Sequence, residues 1–220
     1  MPLVEDYAGL VRRHFAGVLA THCTRRAGYP FASRVPYCAD AHGYPLLAIS
    51  ALAQHTRNLR ADARVAMSVW DEHPDDVQAA GRATLVGDIE SANGDEVAAY
   101  YTEHFPNAAR YLRHLDFSLY RLRVQEVHYI AGFAKVHWLS AEHLAGVPAW
   151  SPAEQTQARA TIDAEKLRVL AADDTLRPVL AGIDPQGLTL RLDQSLRRVA
   201  FPNTLQDPLA VAAAVAQTTR

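Results

Sequence analysis

Leu3, Tyr7, Leu10, Val11 and Phe15 recur at helical spacing, so residues 3–15 are expected to form an amphipathic helix. Short apolar runs follow, separated by polar, Gly- and Pro-bearing stretches, and these read as strands. They cover residues 17–21, 31–38 (entered through Pro30), 46–49, 64–70, 82–90, 117–124 and 127–133, with 135–139 continuing the sheet. The last two full strands are rich in β-branched and aromatic residues. Turns are expected at 24–28 and 40–43, and an acidic loop (Asp71, Glu72, Asp75, Asp76) over 71–80. Ser50 is placed to N-cap a helix over 51–62, with Leu52, Thr56 and Leu59 on one face. Short helices at 97–105 and 107–114 are separated by Pro106. Many short strands with few helices between them predict a closed antiparallel barrel.

The pattern changes after residues 146–152, where Gly, Ser and two Pro suggest a linker. Ser151-Pro152-Ala153-Glu154 is a capping box with Pro at the first helical position, and a long helix to about Ala172 is expected from it. Residues 182–187 (GIDPQG) read as a turn. Leu188, Leu190 and Leu192 alternate with polar residues, as in a half-buried strand, and a second strand spans 196–201. Asp207 and Pro208 open a final helix rich in Ala and Val. The expected organisation is an α+β chain with a barrel over 1–145 and a small α/β domain over 151–220.

Composition changes this picture little. Of 220 residues, 49% are apolar and 21% charged, as in ordinary globular proteins. Lys and Arg number 22 against 24 Asp and Glu, a formal net charge of −2, which argues against a nucleic-acid partner. No apolar run approaches the ~20 residues of a membrane span, and the acid-bearing start does not read as a signal peptide. A soluble cytoplasmic protein is expected. Cys23 and Cys38 form no C-x-x-C pair and are expected to be packed free thiols.

The chemistry-bearing motifs are mostly negative. There is no G-x-S-x-G elbow, no G-x-G-x-x-G and no Walker loop. The ten histidines include no H-E-x-x-H and no H-x-x-x-H pair on one helix face, so a zinc site is not expected. The acidic loop lacks EF-hand spacing. The last two histidines are His137 and His143, near the barrel's end, and none follows them.

Four stretches together resemble a known family. They are GYPFASRVPYCAD (28–40), PLLAISALAQHTRNLRADARV (45–65), ATLVGDIE (83–90) and DFSLYRLRVQEVHYIAGFAKV (116–136). They are similar to the haem-utilisation branch of the pyridoxamine 5'-phosphate oxidase-like, FMN-binding split barrels. Residues 151–220 resemble the small α/β domain often fused to these barrels. There the family's N-x-D-H-type motif corresponds to Ile162-Asp163-Ala164-Glu165-Lys166, with Lys166 at the His position. The resemblance implies an antiparallel split β-barrel with flanking helices that forms a homodimer, with flavin or haem at the interface. Haem would need one axial imidazole, for which the resemblance leaves His137 and His143, near the barrel's end, as the candidates. Tyr37, Trp70 and Tyr129 are large enough to anchor such a contact.

The resemblance also implies where a cofactor is held. In flavin-binding relatives the junction after Ser50 supplies the phosphate site, and a helix N-terminus there would favour an anion. Ser50, Gln54, His55, Thr56 and Arg57 cluster at this junction, although relatives usually carry Arg-Lys where Gln54-His55 stand. His55 would assist chiefly when protonated. Arg34, beside Ser33, and Lys135 occupy places where relatives have basic residues. The expected function is an FMN- or haem-binding protein. It is either a redox enzyme of haem and iron utilisation, a non-catalytic flavin or haem carrier, or a barrel that has lost its cofactor.

Overall fold

The computed structural model describes residues 2–72, 76–132, 135–172 and 175–218. Asp75 of the acidic loop, and Phe133, where a strand was expected to end, lie outside them. The chain forms two compact units, one of Met1–Thr102 with Asn107–Val147 and one of Glu103–Pro106 with Pro148–Arg220.

The first unit begins with α1 (Pro2–Arg13) and then β1 (Ala16–His22), β2 (Pro30–Pro36), β3 (Cys38–Ala39) and β4 (Pro45–Ser50). There follow α2 (Gln54–Ala61), β5 (Arg64–Trp70), β6 (Arg82–Ser91), α3 (Asp95–His104) and α4 (Ala108–His114). It ends with β7 (Phe117–Ile130), β8 (Val136–Ser140) and α5 (Ala141–Leu144). The strand order is β2-β1-β5-β6-β7-β4-β3, all neighbours antiparallel. One edge of β7 is shared, its first residues pairing with β4 and its last with β8. β2 ends at Pro36 and β3 starts at Cys38, yet the two strands stand at opposite ends of this order. Only a sheet that curls round on itself can place them so. The fold is thus a curled antiparallel split barrel with flanking helices.

Register explains where the core sits. Leu19, Met67, Leu85, Val127 and Leu139 are paired in sequence across β1, β5, β6, β7 and β8, and all are buried. Successive residues of a strand face opposite sides, so this row lines the inside. Val4, Tyr7, Leu10 and Val11 of α1 pack on the same cluster. Tyr7 meets Tyr129 edge-on at 6.2 Å, and the Tyr37 hydroxyl donates to the Val11 carbonyl at 2.8 Å. Tyr37 and Tyr129 are therefore core residues and cannot anchor an intermolecular contact, contrary to expectation; Trp70 remains 45% exposed. Burial pushes the phenol pKa of Tyr37 and the thiol pKa of Cys38 upward. Cys38 is buried and Cys23 half-buried, both as free thiols.

Two further expectations need correction here. Residues 117–124 and 127–130 form one strand, not two, because a β-bulge lies between them. Val86 pairs with Glu126 and Gly87 with Val124, which leaves Gln125 as the extra residue. The polar pair Gln125-Glu126 is the sequence trace of that bulge. Gly87 is obligatory beside it, since a Cβ there would stand 2.1 Å from the Arg123 carbonyl oxygen. Also, no helix starts at Ser50: α2 begins at Gln54 with Ala53 as its N-cap.

The second unit holds α6 (Pro152–Ala160), α7 (Ala164–Ala171), β9 (Pro178–Asp184), β10 (Gly187–Leu192), β11 (Ser195–Ala200) and α8 (Val211–Thr218). The Ser151 capping box is formed. The single long helix expected from it is two helices, because Asp163 accepts the Lys166 N–H at 2.8 Å and caps a new one. The Lys166 ammonium pairs with the same carboxylate. The three strands form an antiparallel sheet in the order β11-β10-β9. β10 is not half-buried. It is the central strand, covered on both faces, and Thr189 is buried with its leucines. Arg198 and Asp184 form a buried ion pair at 2.7 Å within this unit. Among the described residues no helix is long and apolar enough to cross a membrane.

Gly87→Ala should destabilise the protein by about 1–3 kcal/mol, because the added methyl must displace backbone. Urea unfolding should show a lower midpoint at unchanged slope; an unchanged midpoint would contradict the close approach.

Candidate functional site

The loop between β4 and α2 already carries a carboxylate of the chain itself. The Ser50 hydroxyl donates to Asp116 at 3.1 Å, and the Leu52 N–H donates to the same carboxylate at 3.2 Å. The Ala51 N–H donates to the Asp116 carbonyl at 2.8 Å and the Ala53 N–H to the Ser50 carbonyl at 3.2 Å. The Thr56 hydroxyl donates to the Ser50 carbonyl at 2.5 Å. The N–H groups of residues 51–53, before α2, are thus engaged within the chain, and the Asp116 carboxylate stands beside them.

Gln54 and His55 are turned into the chain. The Gln54 amide donates to Asn58 Oδ1 at 2.8 Å and to the Thr24 hydroxyl at 3.1 Å. Buried Asn58 donates to the Thr21 hydroxyl at 2.8 Å and accepts from the Thr24 N–H at 3.0 Å. His55 Nδ1 lies 3.0 Å from the Ser33 hydroxyl, and its buried Nε2 has no hydrogen-bond partner among the described residues. Desolvation pushes the His55 pKa below the ordinary imidazole value. Its protonation, on which an anion contact would depend, is therefore opposed.

Ser33 and Arg34 are consecutive on β2, so they face opposite sides of the sheet. Ser33 pairs with Leu19 of the inner row and Arg34 with Val18 of the outer one. The structure therefore does not bring Arg34 together with His55. Arg57 is exposed, and Lys135 lies exposed at the turn between β7 and β8. His143 is held by Ser140, its Nδ1 2.8 Å from the hydroxyl. His137 pairs with Tyr129, a core residue, on β8.

The outer face of the sheet gathers different chemistry. Arg34, Val18, Ser68, Thr84, His128 and Trp138 are paired in sequence from β2 across to β8. The next row, Ala32, Ala20, Ala66 and Val86, is small or apolar and continues into Glu126 and Ser140. Trp138 is 59% exposed, and its ring lies 4.6 Å from that of His128. A groove of about 360 Å³ runs over Ser68, Trp70, Arg82, Thr84, His128 and Ile130. A second of about 460 Å³ runs over Ala20, His22, Pro30, Arg64, Ala66 and Val86. Among the described residues no three His, Cys, Asp or Glu side chains are grouped to hold a free metal ion.

Residues 3–131 match the family described as pyridoxamine 5'-phosphate oxidase. The chain belongs to that family. Its split barrel is the family's barrel. Over 143 residues the chain is 33% identical to the chloroplastic heme oxygenase HOZ of Arabidopsis thaliana, 63% of this chain and 43% of that protein. The chain thus spans less than half the length of that curated relative. A heme-binding protein from Mycobacterium smegmatis superposes with a TM-score of 0.62 at 27% identity, covering 98% of this chain and 95% of the other. Atu2129 of Agrobacterium tumefaciens, a protein of unknown function, superposes at 0.73 and 25% identity over 99% and 95%.

At the junction where the resemblance implied a phosphate site, the Gln54 amide bonds Asn58 and Thr24, His55 Nδ1 meets Ser33, and the Asp116 carboxylate accepts from the Leu52 N–H. The outer-face residues His128, Trp138 and Arg82 were not singled out by the sequence. The signal was available in the pleat: Val127 and Tyr129 are apolar, so His128 between them must point outward.

Two outcomes follow for the inner network. Asn58→Ala should cost about 1–3 kcal/mol in urea unfolding, since it strands buried donors and acceptors. The depressed His55 pKa makes the unfolded chain the better proton acceptor, so its contribution is complete above ~6.5 and is lost as pH falls below that value. His55→Gln should flatten that acid-side decline; an unchanged decline would show that the ring is not held neutral.

Proposed function

We propose that this protein binds haem on the outer face of its barrel sheet, and that a second copy of the chain closes the groove over it. The observation that carries this reading is the outer row itself. The imidazole of His128, the exposed indole of Trp138 and the guanidinium of Arg34 stand in one row with Val18, Ser68 and Thr84, and exposed Trp70 pairs with Arg82 two residues further along the same face, which also carries His22, Arg64 and Glu126. A tetrapyrrole needs a flat apolar seat, an iron ligand and cations for its propionates, and this donor set fits it. The heme-binding likeness of the mycobacterial relative and the heme oxygenase likeness of the plant one support the same reading. FMN is the weaker reading, because a phosphate would meet Asp116 and no free basic pair at the β4–α2 junction.

Closure by a second copy follows from surface chemistry. Trp70, Val86, Val136 and Trp138 are all exposed large apolar side chains on this sheet. Contiguous apolar patches of this kind mark binding surfaces. The family resemblance makes the homodimer the fitting occupant.

When bound, haem supplies the redox-active iron. The chain's own residues seat the ring, neutralise the propionates and keep water from the buried side. The plant relative makes haem breakdown the second reading, with haem as substrate.

Titrating haemin into the protein should produce a saturable Soret band with micromolar or tighter affinity, while FMN added alike should leave its free spectrum unchanged. Light scattering should give twice the chain mass. Loss of the Soret band on adding ascorbate in air would favour breakdown; a persistent band would favour carriage. Failure to take up haemin, or flavin carried through purification, would overturn the haem reading.

A further inference from the structure

We propose that His128 is the protein ligand to the haem iron, with Trp138 and Trp70 flanking the ring and Arg82 holding a propionate. This rests on the haem reading above and assigns its central residue.

Register and geometry select His128. It lies on the outer row between Thr84 of β6 and Trp138 of β8, and it lines the groove of about 360 Å³. Its ring packs against Trp138 at 4.6 Å with a 43° interplanar angle, which limits rotation about the side chain. Among the described residues neither ring nitrogen has a hydrogen-bond partner, so a lone pair is available to a metal. An imidazole with a free lone pair at a groove is what a haem iron requires of its ligand.

Five of the other described histidines are engaged or sit elsewhere. His14 is bonded to Asp71 at 2.8 Å, His55 to Ser33 and His143 to Ser140. His137 neighbours Trp138 in sequence and so faces the opposite side of β8. His22 shares the outer face but sits at the far groove, 3.9 Å from Asp62. It is the natural control.

Arg82 follows from the same lattice of positions. It is two residues from Thr84 on β6 and pairs with Ile130, which is two residues from His128 on β7. The offset is one strand and two residues, roughly 8 Å by sheet spacing. That is the scale separating a haem iron from its propionates. Arg82 Nη1 is oriented by the Gln78 and Ala80 carbonyls at 3.0 and 3.2 Å. A guanidinium has further donors for a carboxylate, and such charge-assisted bonds are strong.

The test loads ferric haemin into wild type, His128→Ala, His128→Gln and His22→Ala, and records Soret position, electron paramagnetic resonance and affinity. Thermal melts of the haem-free proteins check that each variant is folded. Wild type and His22→Ala should share one imidazole-ligated spectrum. Both His128 variants should lose it and bind haemin at least roughly 10-fold more weakly, the lower bound for disturbing a metal site. Added imidazole should restore the spectrum in His128→Ala. If wild type takes up no haemin, the haem reading itself fails. If wild type binds haemin and a folded His128 variant keeps its spectrum, His128 is not the ligand and the haem reading stands.

Discussion

Antiparallel pairing of five strands in one register is the constraint on which this molecule depends. Along β1, β5, β6, β7 and β8 the residues Leu19, Met67, Leu85, Val127 and Leu139 are opposite one another and buried. One residue away, Val18, Ser68, Thr84, His128 and Trp138 are opposite one another and face outward. A slip of one residue would exchange the two sets. Burying each inner side chain is worth about 1.5–3 kcal/mol, and that gain fixes the register. The outer row is then positioned without any stabilising requirement of its own, which leaves it free to carry a binding site.

The inner and outer faces divide the chemistry of the barrel. On the inner side of β2, Ser33 and His55 join, while Thr21, Thr24, Gln54 and Asn58 form a satisfied polar network beside them. Buried polar groups that satisfy one another hold a helix in place but leave little for a ligand. Asp116 completes the same logic at the β4–α2 loop, where it occupies the amide donors. On the outer side Arg34, Arg82 and His128 are presented over small and apolar residues. The polar groups of Gln54, Asn58 and Ser50 at the β4–α2 junction are bonded within the chain.

Much of the fold was legible because its pattern is local. β5 is recovered at the residues expected, and α1 and α4 to within two residues at either end. The elements misread are those settled by tertiary contact. Ser50 has the chemistry of a helix cap, but Asp116, distant in sequence, claims its hydroxyl. Gln125 and Glu126 look like a break in a strand because a bulge tolerates polar residues in mid-strand. Asp163 interrupts a helix whose periodicity runs on. Leu188, Leu190 and Leu192 alternate correctly, but β9 and β11 flank them and burial extends to both faces. Of the residues singled out at the start, Ser50 and Thr56 bond one another, while Gln54 joins Thr24 and Asn58 and His55 meets Ser33. Arg34 belongs to the other face. His128 was hidden because an isolated histidine in a strand carries no motif, and its meaning appears only when five strands are set in register.

The central claim is that the outer sheet face is the haem seat. Paramagnetic broadening of backbone amide signals by ferric haemin, measured against a diamagnetic gallium protoporphyrin control, tests it most directly. The account predicts that broadening centres on Ser68, Thr84, His128 and Trp138 and fades towards the inner row. Broadening centred instead on residues 50–57, or on residues 148–218, would contradict it.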